Sequence, residues 1–578
     1  MQWNGLVLIG ASYIGFYIAY KVYGKWLGGR IFKLCHSQPT PAVESNDGKD
    51  YIPTRCAMVF GHHFTSIAGT GPIVGPAIGV IWGWLPAFIW VVFGSIFMGA
   101  VHDLGVLVLS LRHQGRSICD IADTLVSPMV RRLFFFVVCL ALWIVIAIFG
   151  LVIAIIFHQF PESVIPVWTE IPIAIAFGWF IKKYKTRFSL GTMLALVAMT
   201  VSVFVGHWVP FTLDSVLGIP PTGVWTILLL IYASIASVLP VNTLLQPRDY
   251  LNAWQLFVAL GLLVLGAIGA GFGGQLTMVA PAVVVSPEGA PSLWPFLFIT
   301  IACGAISGFH SLVASGTSSK QIQHAPDAVP VGYGSMVIEG ALAVMIIVAC
   351  CAGIGMGYPA ADGSMVTGVA AWNMHYASWG ASAGLASKLQ AVVVGCANMM
   401  STIGVPQSLG MVIMGVFIAS FAGTTLDTAT RLQRYMITEV AQSVRVRVTP
   451  LWATVFAVVS AGGLAFSSGM SGKGALQLWP LFGALNQLLA AIGLGMVSVY
   501  LCKTRPRYLF VSGVPCVVMS VLTAWACLEH HVVFIHSGQW GLMVVNLLVL
   551  GCGVLMLGTM LRVVWQHRMM RMKRARLL

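Results

Sequence analysis

The chain has 578 residues, of which 58% are hydrophobic and 8% charged, with a formal net charge of +14 at pH 7 and a mean hydropathy of +0.90. A water-soluble domain carries roughly a quarter charged residues, so a soluble globule, a disordered chain and a secreted disulfide scaffold are excluded. Continuous apolar runs such as Phe134–Phe157 also exclude an outer-membrane barrel, whose strands alternate in polarity. The fold class that remains is an all-α polytopic membrane protein.

The first apolar stretch, Leu6 to Tyr20, is followed rather than preceded by its positive charges, Lys21, Lys25, Arg30 and Lys33. It predicts a retained first span over 4–22, not a signal peptide. Runs over 57–80, 82–111, 132–157, 167–181, 189–207, 223–242, 253–273, 294–316, 333–357, 406–440, 450–467, 477–501, 508–527 and 542–564 raise the expectation to about fifteen spans, or sixteen with the ambiguous segment 384–404. Basic loops (21–33, 112–132, 182–187, 445–447, 503–507 and the tail 566–578) alternate with loops poor in Lys and Arg (158–166, 208–222, 274–293, 358–383, 528–541). This is the signature of cytoplasmic loops facing anionic lipid, not of nucleic-acid binding. The alternation places the N-terminus outside and the C-terminus inside, with an odd number of crossings. Segment 384–404 is then re-entrant or does not cross, with Lys388 on the outer face. The expected organisation is one membrane domain: 1–50 as first span and cytoplasmic loop, 51–293 and 294–470 as two repeat regions, and 471–578 as C-terminal helices with a basic tail. Trp82, Trp84, Trp225 and Tyr358 fall at span ends, where aromatic rings anchor at the interface. The twelve cysteines contain no CxxC pair and read as buried free thiols.

Four places break the apolar runs with polar groups, which are costly at membrane depth and need a partner, a cavity or a purpose. Gly61–Pro76 (GHHFTSIAGTGPIVGP) holds His62, His63, Ser66 and Gly69 among glycines and prolines that disfavour an uninterrupted helix. Non-helical backbone at that depth is tolerated where it lines a cavity. Cys303–Gln321 (CGAISGFHSLVASGTSSKQ) holds His310, Ser315 and Thr317 and repeats a G-x-H-x5-G-T skeleton, with Gly61, His63, Gly69 and Thr70 matching Gly308, His310, Gly316 and Thr317. On the charge assignment the two segments run in opposite senses, the pointer to an inverted-repeat transporter. His63 and His310 are therefore expected in one cavity, at unwound points of two oppositely oriented helices. Asp103, ahead of Arg112, is the third place. The fourth is Phe421–Glu439, where Asp427 and Arg431 stand four apart and can pair on one helix face. Glu339 stands alone in GYGSMVIEGALAVM; burial without a cation suits it to carry a proton, with Asp103 as second choice. Lys320 and Arg248–Asp249 read as snorkelling side chains at cytoplasmic ends. The substrate and coupling candidates are His62, His63, Ser66, Gly69, Asp103, His310, Ser315, Thr317, Glu339, Asp427 and Arg431.

The strings YIPTRCAMVFGHHFTSIAGTGPIVGPAIG, MGAVHDLGVLVLSLRHQGRSI, LPVNTLLQPRDYLN, FITIACGAISGFHSLVASGTSSKQI and SFAGTTLDTATRLQRYMITE closely resemble the carbon starvation protein CstA family of bacterial inner-membrane transporters, in order from about residue 50 to 440. From about residue 450 onward no motif ties to the family. The resemblance implies uptake of peptides or pyruvate, coupled to protons, under nutrient limitation. It also implies kinship with LeuT-like transporters: inverted repeats with broken helices, plus extra helices.

The leading expectation is a secondary active transporter and not an enzyme. No GxxxxGK[ST] string occurs and no soluble domain exists to host one. The alternative is a membrane-bound metal- or haem-binding protein using the intramembrane histidines His62, His63, His102 and His310, with His63, His310 and Asp103 as the metal set; a channel is a third reading. The expected partners are a small-molecule substrate and the lipid bilayer, with no cofactor beyond a coupling proton or cation.

Overall fold

A computed structural model describes residues 3–360, 363–380, 384–443 and 445–577. Among them, thirteen helices are long and apolar enough to cross a membrane. Pro450–Ala465 is a shorter apolar helix, and residues 293–316 form two half-helices rather than one span. Together these account for the expected fifteen, and the protein is a multi-pass membrane protein. Its surface is apolar, as at Val197, Val201 and Phe204, while polar and charged side chains are gathered inside. This is the distribution that a lipid solvent selects.

In chain order the helices are α1 (Gly5–Ala19), α2 (Cys56–Ala68), α3 (Gly71–Gly79), α4 (Trp84–Arg112), α5 (Pro128–Gln159), α6 (Val164–Lys183), α7 (Phe188–Trp208), α8 (Pro221–Val238), α9 (Leu245–Phe272), α10 (Leu293–Thr300), α11 (Gly308–Gly316), α12 (Ser335–Cys351), α13 (Gly368–Tyr376), α14 (Leu385–Ser401), α15 (Gln407–Ser443), α16 (Pro450–Ala465), α17 (Trp479–Thr504), α18 (Phe510–His536) and α19 (Trp540–Lys573). Local chemistry sets their starts. Ser127 accepts from the Val130 N–H at 3.3 Å ahead of Pro128, and Thr449 does the same for Trp452 at 3.4 Å ahead of Pro450. A capping hydroxyl followed by a first-turn proline satisfies or removes the N–H groups that a helix start leaves orphaned.

Loop contacts define two faces. On the basic face, Thr54 bridges to Ile322, the Val241 N–H reaches the Lys49 carbonyl, and Arg112 donates to the Phe32 carbonyl. On the far face, the Gly5 N–H donates to the Leu276 carbonyl at 2.8 Å, Trp84 to Pro281 at 3.2 Å and Val279 to Cys351 at 2.8 Å. The broken pair α2/α3 therefore runs from basic to far face, and α10/α11 runs from far to basic face. The two long helices α5 and α15 pack along one another, and α8 and α16 pack against both.

Segment 384–404 forms α14, and both of its ends lie toward the far face. Asn398 near its end donates to the carbonyls of Gly353 (3.0 Å) and Gly357 (2.6 Å), and Thr402 donates to Gly266 at 2.9 Å. Its start lies by Trp379, whose ring meets that of Trp82 and whose N–H donates to the Glu288 carbonyl at 2.8 Å. The helix does not cross, as the charge parity requires. The exposed positions flanking it test this: in a Cys35→Ser background, Ala377→Cys and Ser401→Cys are both expected to react with a membrane-impermeant maleimide from the side opposite the basic loops. Labelling of the two from different sides would mean that α14 spans.

One expectation is corrected. Trp82, Trp84, Trp225 and Tyr358 are buried in protein and are not interfacial anchors; the Trp82 indole donates to the Pro291 carbonyl at 2.8 Å. Packing against neighbouring helices, invisible in a single span, takes them from the lipid boundary.

Candidate functional site

The first break falls at Gly69–Thr70, between α2 and α3. Gly69 has φ +44°, and a Cβ there would stand 2.4 Å from Thr425 Oγ1. Pro72 restarts the helix where no N–H is needed. Gly71, Gly75 and Gly79 then present a small-residue stripe. A Cβ on Gly71 would meet Cys303 Sγ at 2.3 Å, one on Gly75 the Thr300 carbonyl oxygen at 2.8 Å, and one on Gly79 the Ile301 side chain at 2.5 Å. The stripe is what lets the second break, residues 301–307, approach the first. Asn486 of α17 holds that second break open: its Oδ1 accepts from Ser307 Oγ and from the Phe309 N–H, both at 3.0 Å. Replacing Gly69 with alanine is expected to cost about 1–3 kcal/mol of stability and to reduce transport by more than about tenfold, read by thermal unfolding and initial uptake rate. Unchanged uptake would show that the break tolerates a side chain.

The two breaks border a cavity of about 770 Å³, with Thr70 and Gly71 on one side, Thr300 and Cys303 on another, and Phe149 and Lys388 completing the wall. Next to it lies a buried chain of ionisable groups. The Nδ1 atoms of His102 and His310 lie 2.8 and 2.9 Å from the two carboxylate oxygens of Asp103. His310 Nε2 is 3.5 Å from Glu339 Oε2. Donor atoms of Cys303, His310 and Glu339 all lie within 4.8 Å of one another, so Cys303 joins the chain to the cavity. Asp103, held by two imidazole N–H groups, orients His310 and leaves its Nε2 facing Glu339.

The structure thus brings Asp103, His310 and Glu339 together and joins His62 and Asp427 in a second network. Glu339 is not alone, as its own span suggested, because His310 arrives from another helix. His63 sits within unbroken α2, with Nδ1 2.8 Å from Ser318 Oγ, not at an unwound point. His310 is the third residue of α11, just past the second break. Gly316–Thr317 ends α11, whereas Gly69–Thr70 is a mid-span break, so the repeated G-x-H-x5-G-T skeleton does not mark equivalent positions. Nor is His63, His310 and Asp103 a metal set: among the described residues, the group of three with converging donor atoms is Cys303, His310 and Glu339.

Asp427 does not pair with Arg431. It accepts from Arg248 and, at 2.9 Å, from Tyr232. Arg431 instead reaches Asp50 at 3.4 Å and the carbonyls of Ala236 and Leu239. Arg248 and Asp249 do not snorkel; both are buried, 3.1 Å apart, and His62 closes on Asp249 at 2.5 Å. Their network ties α2, α8, α9 and α15 together. Ser66 bonds Thr428 at 3.0 Å one turn before the first break. Ser315 accepts from the Ile118 N–H at 3.0 Å, and Thr317 donates to the Val313 carbonyl at 3.0 Å, away from the cavity. Sequence reasoning missed Asn486, and it took Lys388 only as a marker of sidedness; a lone Lys in an otherwise apolar helix was the available signal.

The family model described as carbon starvation protein CstA matches residues 4–526, reaching well past the region where motifs were recognisable. The peptide transporter CstA of Campylobacter jejuni is 31% identical over 580 residues, covering 91% of this chain and 80% of its own. The pyruvate/proton symporter BtsT of Escherichia coli is 30% identical over 593 residues, covering 90% and 81%. The crystal structure of a mutant manganese transporter from Eremococcus coleocola shares the fold, with a TM-score of 0.51 over 90% of this chain and 98% of that one at 11% identity. With the broken, oppositely running helices, these relations make the architecture a LeuT-like inverted repeat with added helices. The chain belongs to the carbon starvation protein CstA family.

Proposed function

We propose that this protein is a proton-coupled secondary transporter that imports pyruvate or short peptides across the bacterial inner membrane when carbon is scarce, and that it carries out no chemical conversion. The observation that carries the reading is the juxtaposition of two broken helices around one cavity with the Asp103–His310–Glu339 chain against it. A symporter needs a group that is charged in one half-cycle and neutral in the other. Between His310 Nε2 and Glu339 one proton rests either on the carboxyl, facing a neutral imidazole, or on the imidazole, facing a carboxylate. Asp103 keeps the imidazole in register in both states. Because Cys303 lies in the second break and His310 just past it, movement of that backbone around a substrate moves the proton site with it.

The basic face is the cytoplasmic one, with the N-terminus outside and the C-terminus inside, in keeping with the Lys and Arg distribution. The repeats extend over 51–293 and 294–470, with α17 joined to the second through Asn486. The test is uptake into proteoliposomes under an inward proton gradient. Pyruvate or dialanine is expected to accumulate severalfold above equilibrium and to lose that excess on adding a protonophore. Uptake that never exceeds equilibrium, with the gradient present, would overturn the reading.

A further inference from the structure

Lys388 is 5% exposed, and its Nζ has no hydrogen-bond partner. Three unsatisfied N–H donors on a buried cation are costly. Two aromatic faces offset part of that cost: the ammonium lies 5.2 Å from the ring centre of Tyr376 and 5.6 Å from that of Trp379. Neither ring can accept a strong hydrogen bond, and the Tyr376 hydroxyl is committed to the Ala77 carbonyl at 2.9 Å. Lys388 belongs to the wall of the cavity between the two helix breaks, with its Nζ turned out of the open volume. Among the described residues of that wall it is the one charged side chain and there is no carboxylate; His530 and Cys303 are the other ionisable groups, and most of the rest is aromatic or aliphatic.

Resting on the transport reading above, we infer that Lys388 is the anchor for a substrate carboxylate, and that the cavity selects monocarboxylates with an apolar body, 2-oxo acids above all, over zwitterionic peptides. When the flexible Lys388 chain turns into the cavity, a carboxylate accepts one or two of its free N–H groups beside a mostly apolar wall, where a charge-assisted bond is strong. A peptide brings an ammonium as well, for which this wall offers apolar surface and a cation of the same sign. A volume of about 770 Å³ lies in the range of small-molecule sites and exceeds what pyruvate fills, so branched 2-oxo acids fit better than pyruvate.

Burial lowers the Lys388 ammonium to about 8. Its titratable neighbours are Cys350 of α12, and His375 and Tyr376 of α13, with no carboxylate among them. The ammonium is charged below that value, so carboxylate affinity is full near neutrality and falls as pH rises through about 8, by roughly tenfold one unit above it.

The test is equilibrium binding to the purified full-length protein, read by quenching of the cavity tryptophans, with pyruvate, 4-methyl-2-oxopentanoate and dialanine as probes. The expected order is 4-methyl-2-oxopentanoate tighter than pyruvate by about tenfold or more from the added apolar burial, with dialanine weakest. Lys388→Met is expected to weaken both oxo acids at least about tenfold and Lys388→Arg to restore most of the loss, because both cations can hold a carboxylate. Dialanine binding as tightly as pyruvate, or Lys388→Met leaving the affinities unchanged, overturns the inference. Should Lys388→Met fail to fold, the wild-type ligand order and the fall in affinity above pH 8 decide it alone. Binding without gradient-driven accumulation would instead refute the transport reading and leave the anchor standing.

Discussion

Glu339→Gln is expected to abolish proton-driven accumulation, lowering the steady-state ratio at least about tenfold to equilibrium, while substrate exchange between the two sides stays measurable. Glutamine keeps the shape of the side chain and removes the group that takes and gives the proton. Its amide still reaches toward His310 Nε2, 3.5 Å from the carboxyl it replaces, so the approach of these two side chains persists. Counterflow of labelled substrate separates the two functions, because exchange needs the cavity but not a net proton. Normal accumulation by the variant would move the coupling role to Asp103. Asp103→Asn is the weaker test, since it leaves one acceptor oxygen where Asp103 gives one to each of His102 and His310.

Arg248→Met is expected to be the most destabilising single change in the interior. Arg248 lies between Asp427 and Asp249, with the Tyr232 hydroxyl at 2.5 Å, and all three ionised groups are buried. Removing the cation leaves two carboxylates with one charge partner fewer, and breaking a buried pair from one side costs about 3–5 kcal/mol. The loss reads as a fall in the thermal midpoint and in the monodisperse yield from detergent. Adding Asp427→Leu should recover a large part of it, since Asp249 still has His62, and non-additivity of this kind marks groups in one network. A midpoint within a degree or two of wild type for the single variant would mean that the network is solvated and carries little.

The spans were legible because hydropathy is a property of local composition, and the first break because Gly69 ends a helix and Pro72 starts one; Pro76 instead sits inside α3. The charge parity that asks 384–404 not to cross agrees with an α14 whose two ends lie toward one face. Partnerships were not. Asp427 and Arg431 have the right spacing for an intrahelical bond, yet Arg248 from α9 takes the carboxylate and Asp50 takes the guanidinium. Helix periodicity says which side chains share a face; it is silent on what the facing helix offers. The same gap made Glu339 look solitary and Arg248 look peripheral. It also left Lys388 as a topological marker, because the aromatic faces and the cavity that give it meaning come from α13, from the loop after it and from both breaks.

The seating of α14 has a mechanical consequence. A Cβ on Gly395 would stand 2.3 Å from the Ala349 carbonyl oxygen, and one on Gly266 would stand 2.4 Å from that of Met399. Backbones this close key α14 to α9 and α12, as Gly71 and Gly75 key the first break to the second. On the inference that Lys388 anchors the substrate, the anchor is carried by a segment whose two ends lie toward the far face. A substrate entering from that face would then have the shorter path to it. The two entrances would differ in apparent affinity although they lead to one site, a bias set by the seat of a single lysine.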